Sequence, residues 1–305
     1  MDAYRLTLIT VLVVGVLLGR ASAGDAPFVV AGYLPEYRLA TWSQETGPVT
    51  DVIFFGMAAP ADGRFDAAAL SNEHLALVRR VKERSKCRLL FTVGGWNKSA
   101  GFPALAADPA LREQFVRDAR EFCVQNDFDG IDYDWEHPRG AEQVQSYADL
   151  LKETRAQFAP QQLIVTIAMA GWQELGPAGF EALDRVHLMS YDQRYPQATF
   201  EKAQDDVKRL VDAGCPPAKI VLGVPFYGRN QQGDAKTYAE LVRNEEIADD
   251  VSEVDGYAFN GKALLARKVS YARERGLGGL MIWELGQDLP GPKSLLAAIG
   301  EALKQ

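Results

Sequence analysis

Three carboxyls stand on alternate residues in the run Phe128-Asp-Gly-Ile-Asp-Tyr-Asp-Trp-Glu136. Successive side chains of an extended strand point to opposite faces. Asp132, Asp134 and Glu136 therefore share one face, and Ile131, Tyr133 and Trp135 share the other. The apolar set can pack beneath helices. The acidic set has no Lys or Arg on its own strand, and three like charges so close together cannot all ionise. Protons must be divided unequally, leaving one carboxyl as an acid while a neighbour stays an anion. Glycosidic cleavage needs that division: a proton for the departing oxygen and negative charge near the developing cation. Glu136, last in the row, is the candidate proton donor. Two opposed carboxyls flanking a bond are not evident, because Glu136 and Asp134 lie side by side. Asp129 has the opposite parity and reads as structural.

The elements that must position this row are legible from hydrophobic patterning. Strands are predicted at Phe28–Tyr33, Val52–Phe55, Arg88–Val93, Phe128–Asp134, Leu163–Met169, Arg185–Tyr191, Ile220–Val224 and Gly279–Trp283. Each is nearly continuous in apolar residues, as strands covered on both faces are. Helical spacers separate them, among them Ser71 to Lys82 behind an N-cap serine, Ala141 to Phe158, Lys202 to Ala213, and Gly261 to Arg275. Eight such units in a 305-residue chain predict a single (β/α)8 TIM barrel without a sizeable insertion domain, which takes roughly 250 residues. An open doubly wound sheet is the alternative. The glycine-rich spacer from Ala170 to Asp184 does not read as a full helix, and the acidic stretch from Gln231 to Tyr257 is too short for an extra domain. Barrel sites form at the C-terminal strand ends, the direction in which the acidic row climbs.

The formal net charge of -8, with no basic run, argues against a phosphate backbone or anionic lipid as partner. Arg5, the apolar run from Leu6 to Leu18, and Ala21-Ser22-Ala23 form the three parts of a secretory signal peptide over residues 1–23. The run is shorter than a bilayer span, so an uncleaved anchor is the weaker reading. Residues 24–305 are then the catalytic domain, secreted to an extracellular or periplasmic space, with no membrane association when mature. Cys87, Cys123 and Cys215 allow one bridge, for which Cys87 and Cys123 are candidates, or three separate buried thiols. With three histidines and no Cys/His cluster, neither a metal nor another cofactor is expected.

Asp129-x-x-Asp132-x-Asp134-x-Glu136 resembles the signature of glycoside hydrolase family 18, the chitinase and endo-β-N-acetylglucosaminidase family. Lesser motifs follow in the family's order: Gly32-Tyr33, Thr92-Val93-Gly94-Gly95-Trp96, Met189-Ser190-Tyr191-Asp192, Gly223 to Arg229, and Gly279 to Trp283. The family's serine on the third strand is here Thr92, which keeps the hydroxyl and adds a methyl. The resemblance implies substrate-assisted catalysis, in which the sugar's own 2-acetamido oxygen attacks C1. Asp134 would accept the acetamide N–H, Asp132 would share its proton, and Tyr191 would donate to the acetamido oxygen. His187, deeper on the same face as Tyr191, reads as a core histidine. Trp283 and Trp96 would stack on sugar rings. Asp192, Met189, Tyr33, Tyr227 and Arg229 are candidate sugar contacts.

The function so implied is retaining hydrolysis of β-1,4-linked N-acetylglucosamine in chitin or chito-oligosaccharides, by a monomer with an open groove. An endo-β-N-acetylglucosaminidase on N-glycans or on peptidoglycan-derived sugars is the alternative within the fold. A chitin-binding lectin is the alternative outside catalysis; such relatives lose the terminal acid, which this chain keeps at Glu136.

Overall fold

The computed structural model describes residues 27–68 and 70–305; the leader pattern lies outside them. Eight parallel strands close into a barrel in chain order: β1 (Val29–Pro35), β2 (Asp51–Met57), β3 (Arg88–Gly94), β4 (Gly130–Asp134), β5 (Ile164–Ala170), β6 (Arg185–Met189), β7 (Ile220–Pro225) and β12 (Gly279–Trp283). The eight predicted strands are these eight. Four short strands, β8 (Tyr227–Arg229), β9 (Ala235–Thr237), β10 (Glu253–Val254) and β11 (Tyr257–Ala258), form an antiparallel sheet between the last two barrel strands. The acidic stretch from Gln231 to Tyr257 is thus a small flap rather than a domain.

The helices are α1 (Asn72–Ser85), α2 (Phe102–Ala107), α3 (Pro109–Asn126), α4 (Gly140–Phe158), α5 (Pro177–Glu181), α6 (Phe200–Asp212), α7 (Tyr238–Val242), α8 (Lys262–Glu274) and α9 (Leu295–Ala302). Ser71 caps α1 by accepting from the His74 amide at 3.2 Å, satisfying one of the donors that a helix start leaves open. The glycine-rich spacer yields only the five residues of α5.

Strand parity divides the apolar residues into two cores. Ile131, Tyr133 and Trp135 belong to the larger one, between sheet and helices, with Val52, Phe54 and Phe91. Tyr33, Ile53, Phe55, Leu90, Val221 and Met281 fill the barrel interior. Asp132 and Asp134 therefore point inward, as alternation requires. Cys87, Cys123 and Cys215 are all buried free thiols, so Cys87 and Cys123 form no bridge. Burial pushes all three thiols up, as it does for inert core cysteines.

An ion cluster around the wholly buried Asp51 seals the barrel floor. Asp51, at the start of β2, accepts from Arg88 Nε at 2.6 Å and from Arg185 Nη1 at 2.9 Å, the latter reaching from the opposite strand β6. Burial works against the Asp51 charge, but the two guanidiniums overcome it and hold the carboxyl below its ordinary range. Asp51→Ala leaves Arg185 uncompensated and is expected to cost about 3 kcal/mol in urea unfolding. With a lowered folded pKa, the Asp51 contribution is present above the ordinary carboxylate range and is lost as pH falls through it. A variant whose deficit against wild type is the same at pH 7 and at pH 3 would contradict this assignment.

Candidate functional site

Strand pairing sets the lateral neighbours of the acidic row. Thr92 on β3 and Thr166 on β5 flank Asp132, and Gly94 pairs with Asp134. Asp132 is wholly buried and accepts from Thr166 Oγ1 at 2.6 Å, Tyr33 Oη at 2.8 Å and Thr92 Oγ1 at 3.1 Å. The fourth neighbour is His187 Nδ1, 3.1 Å from Asp132 and 3.0 Å from Tyr33 Oη. His187 Nε2 is buried without a partner, so the ring proton belongs on Nδ1, where oxygens accept it. Asp132 is thus dressed entirely by donors. The hydroxyl of Thr92 reaches it despite the extra methyl.

Asp134 sits one step higher, 3% exposed, with Oδ1 buried and unpartnered. Burial first, then the charges of Glu136 and Asp132, push its carboxyl well above the usual range. The surroundings of Asp134 therefore favour its protonated form, and it lies next to an Asp132 whose oxygens are already engaged. The two glycines beside it make room. A Cβ at Gly94, where φ is +101°, would lie 2.3 Å from the Asp134 carbonyl oxygen, and one at Gly95 2.4 Å from the Phe55 ring.

Glu136 stands two residues past the end of β4, on the wall of a cleft of about 850 Å³ at the C-terminal barrel face. Its backbone amide donates to Ser99 Oγ at 3.0 Å, and the Ser99 hydroxyl in turn reaches the Asp134 carbonyl at 3.0 Å. This latch ties the exit of β3 to that of β4. Burial raises the Glu136 carboxyl above its ordinary range; His137 pulls it down and Asp192 pushes it up.

Asp134, Trp96, Met189, Tyr191, Asp192, Arg229 and Trp283 line the same cleft. Tyr191 is 9% exposed, and burial pushes its phenol well above 10, so it keeps its proton. Among the described residues its hydroxyl meets only the weak acceptor Met281 Sδ, at 3.8 Å, and is available as a donor. Trp283 rests on Tyr33 and Phe55, with ring centroids 5.5 and 5.1 Å away. Trp96 stands 73% exposed at the mouth. Asp192 accepts from Tyr227 Oη at 2.5 Å and from Arg229 Nε.

Two expected sugar contacts lie elsewhere. Tyr33 is 1% and Tyr227 4% exposed, and both stand behind the cleft wall. Their hydroxyls are committed to Asp132 and Asp192, because a buried phenol takes the nearest strong acceptor. His187 is buried as expected, yet it also holds Asp132. Sequence reasoning missed Thr166 and Ser99, as well as Tyr37 and Trp172, which line the cleft at 60% and 64% exposure. The position of Trp172 just past the end of β5 could have revealed it. The loop after β6 is anchored by Lys268 of α8, a wholly buried amine that donates to Ala198 O at 2.8 Å and Asn260 Oδ1 at 2.7 Å. Burial lowers Lys268 to about 7. Among the described residues no His/Cys/Asp/Glu cluster could hold a metal ion, and no helix is long and apolar enough to cross a membrane.

Residues 30–288 match the profile of Glycosyl hydrolases family 18. Chitinase 1 of Aphanocladium album is 29% identical over 282 residues, covering 73% of this chain and 67% of that protein. A chitinase from the chitin utilization locus of Flavobacterium johnsoniae superposes with a TM-score of 0.79 at 24% identity, over 91% of this chain and 94% of that one. A mutant chitinase from Cycas revoluta in complex with (GlcNAc)4 superposes at 0.77 and 21% identity, over 90% and 99%.

Proposed function

We propose, from the premise that this chain belongs to glycosyl hydrolase family 18 and is a glycoside hydrolase, that it cleaves β-1,4-linked N-acetylglucosamine in chitin or chito-oligosaccharides. The observation that carries the reading is the division of protons along the row. Asp132 is ringed by donors, Asp134 is buried with its carboxyl pushed well up, and Glu136 faces the cleft with a raised carboxyl.

In this mechanism Glu136 protonates the glycosidic oxygen as the C1–O bond breaks. The 2-acetamido oxygen of the same sugar closes on C1, giving an oxazolinium ion. Water then opens that ring, losing a proton to the Glu136 carboxylate, and the product keeps the original anomeric configuration. As the oxazolinium forms, Asp134, disposed to hold a proton at rest, passes it to Asp132, whose hydroxyl neighbours can turn to accept. The Asp134 carboxylate then accepts the acetamide N–H and balances the positive charge, and its bare Oδ1 is an acceptor waiting for a donor. Tyr191 donates to the acetamido oxygen. Trp283 forms the apolar floor for the reacting ring, with Met189 beside it, and Trp96 and Arg229 contact flanking sugars. The cleft is walled on one side by the loop from Asn230 to Gly233, which joins β8 to β9. It accommodates short chains or internal segments of a polymer. The leader pattern of residues 1–23 supports export, and the enzyme acts as a monomer on a glycan in the extracellular or periplasmic space.

Incubating the protein with chitotetraose and, separately, a high-mannose glycopeptide tests the substrate. New reducing ends are expected from chitotetraose. Cleavage of the glycopeptide alone would move the assignment to N-glycans, and binding of chitotetraose without cleavage would make the protein a lectin.

A further inference from the structure

Glu136 needs a positive partner in the half of the cycle when it is an anion; the row behind it supplies none, and the Trp96 backbone gives it a hydrogen bond but no charge. Asp134 from β4 and Asp192 after β6 are the acidic groups facing it, and both oppose its charge. Arg229, which could oppose them, is engaged by Asp192. Lys98 lines the cleft with no bond to Glu136. The nearest basic group is the next residue in the chain. His137 Nε2 lies 3.6 Å from Glu136 Oε2. That ring is clamped from two other directions: Nδ1 is 2.9 Å from Gln173 Oε1, and Trp172 packs edge-on with centroids 4.5 Å apart. Gln173 is 6% exposed, so that arm of the clamp is anchored in the protein, while Trp172 covers the ring from the solvent side.

We propose that His137 is a positioning residue for the acid: fixed by Gln173 and Trp172, it presents Nε2 to Glu136 Oε2 and steadies the carboxylate left after proton donation. The proposal rests on the assignment of Glu136 as the acid. The separation of 3.6 Å is slightly beyond hydrogen-bond length, and such contacts tighten when substrate closes a site. An Nε2–H on this ring faces the carboxylate across a short, partly desolvated gap and can donate to it. Positive charge on this ring, together with the hydrogen bond from the Trp96 backbone, offsets burial and Asp192, both of which favour the protonated acid. With it, Glu136 can release its proton to the leaving group and still exist long enough to take one from water.

The test is a carboxyl titration of the full chain labelled with 13C-glutamate, the Glu136 signal being assigned by its loss in E136Q. H137Q removes the charge, and H137F keeps a ring against Trp172 while removing both nitrogens. In both variants the Glu136 titration is expected to move up by about 0.5 pH unit or more, since a cationic neighbour is gone. The alkaline limb of kcat/KM on chitotetraose is expected to move the same way, with kcat reduced about tenfold and KM within about twofold. Unchanged titration in both variants overturns the proposal, as does a loss confined to KM. The titration needs no substrate, so it judges His137 even if chitotetraose proves not to be cut, an outcome that would count against the chitin reading instead.

Discussion

Replacing Glu136 with Gln is expected to lower kcat on chitotetraose by about 10³-fold, with KM changed by less than about threefold. Gln matches the shape of the acid and cannot supply its proton. The Ser99 latch holds the backbone of residue 136 rather than its side chain, so the loop keeps its course in the variant. Neither apolar core includes the residue, and Tm should stay within a few degrees of wild type. An aryl chitobioside with a strongly acidic phenol as leaving group separates acid catalysis from other roles. Its departure needs no proton, so E136Q should lose far less activity on it. Equal losses on both substrates would show that Glu136 does something other than protonate the leaving oxygen.

Asp134→Asn should produce the second large effect and an unusual pairing of properties. Activity is expected to fall by about 10²- to 10³-fold, because the amide carries no negative charge to set against the oxazolinium. Stability should move the other way. Burial and two neighbouring carboxyls raise Asp134, so its favourable state in the fold is the protonated one. Below the ordinary Asp range both folded and unfolded chains hold that proton. As pH rises through that range toward the folded value, wild type is progressively penalised, whereas Asn is not. The Tm of D134N should therefore equal or exceed wild type at pH 7, with the gap closing as pH falls toward 4. A variant less stable than wild type at neutral pH would mean that Asp134 is an anion in the resting protein.

The barrel and the acidic row were legible because both depend on period-two alternation, which a single strand of sequence displays. Ile131, Tyr133 and Trp135 fall in the outer core and Asp132 and Asp134 point inward, as parity demanded. What parity cannot give is depth. Tyr33 and Tyr227 carry the right chemistry for sugar contacts, yet each stands one layer too far back, tied to a carboxylate. Depth depends on strand register and on neighbouring side-chain volume, which are relations between distant segments. Thr166 was invisible for the same reason: its hydroxyl matters only because β5 pairs with β4 at Asp132. Ser99 and Trp172 lie in loops, where no periodic signal exists.

The position of Glu136 outside both cores has an evolutionary consequence. Asp132 is wired to four side chains on β1, β3, β5 and β6, so its loss would unsettle the barrel interior. Glu136 carries no such structural debt. A lineage kept only for recognising its glycan would drift there first, one codon from a silent cleft, while the deeper acids persisted as relics of the abandoned chemistry.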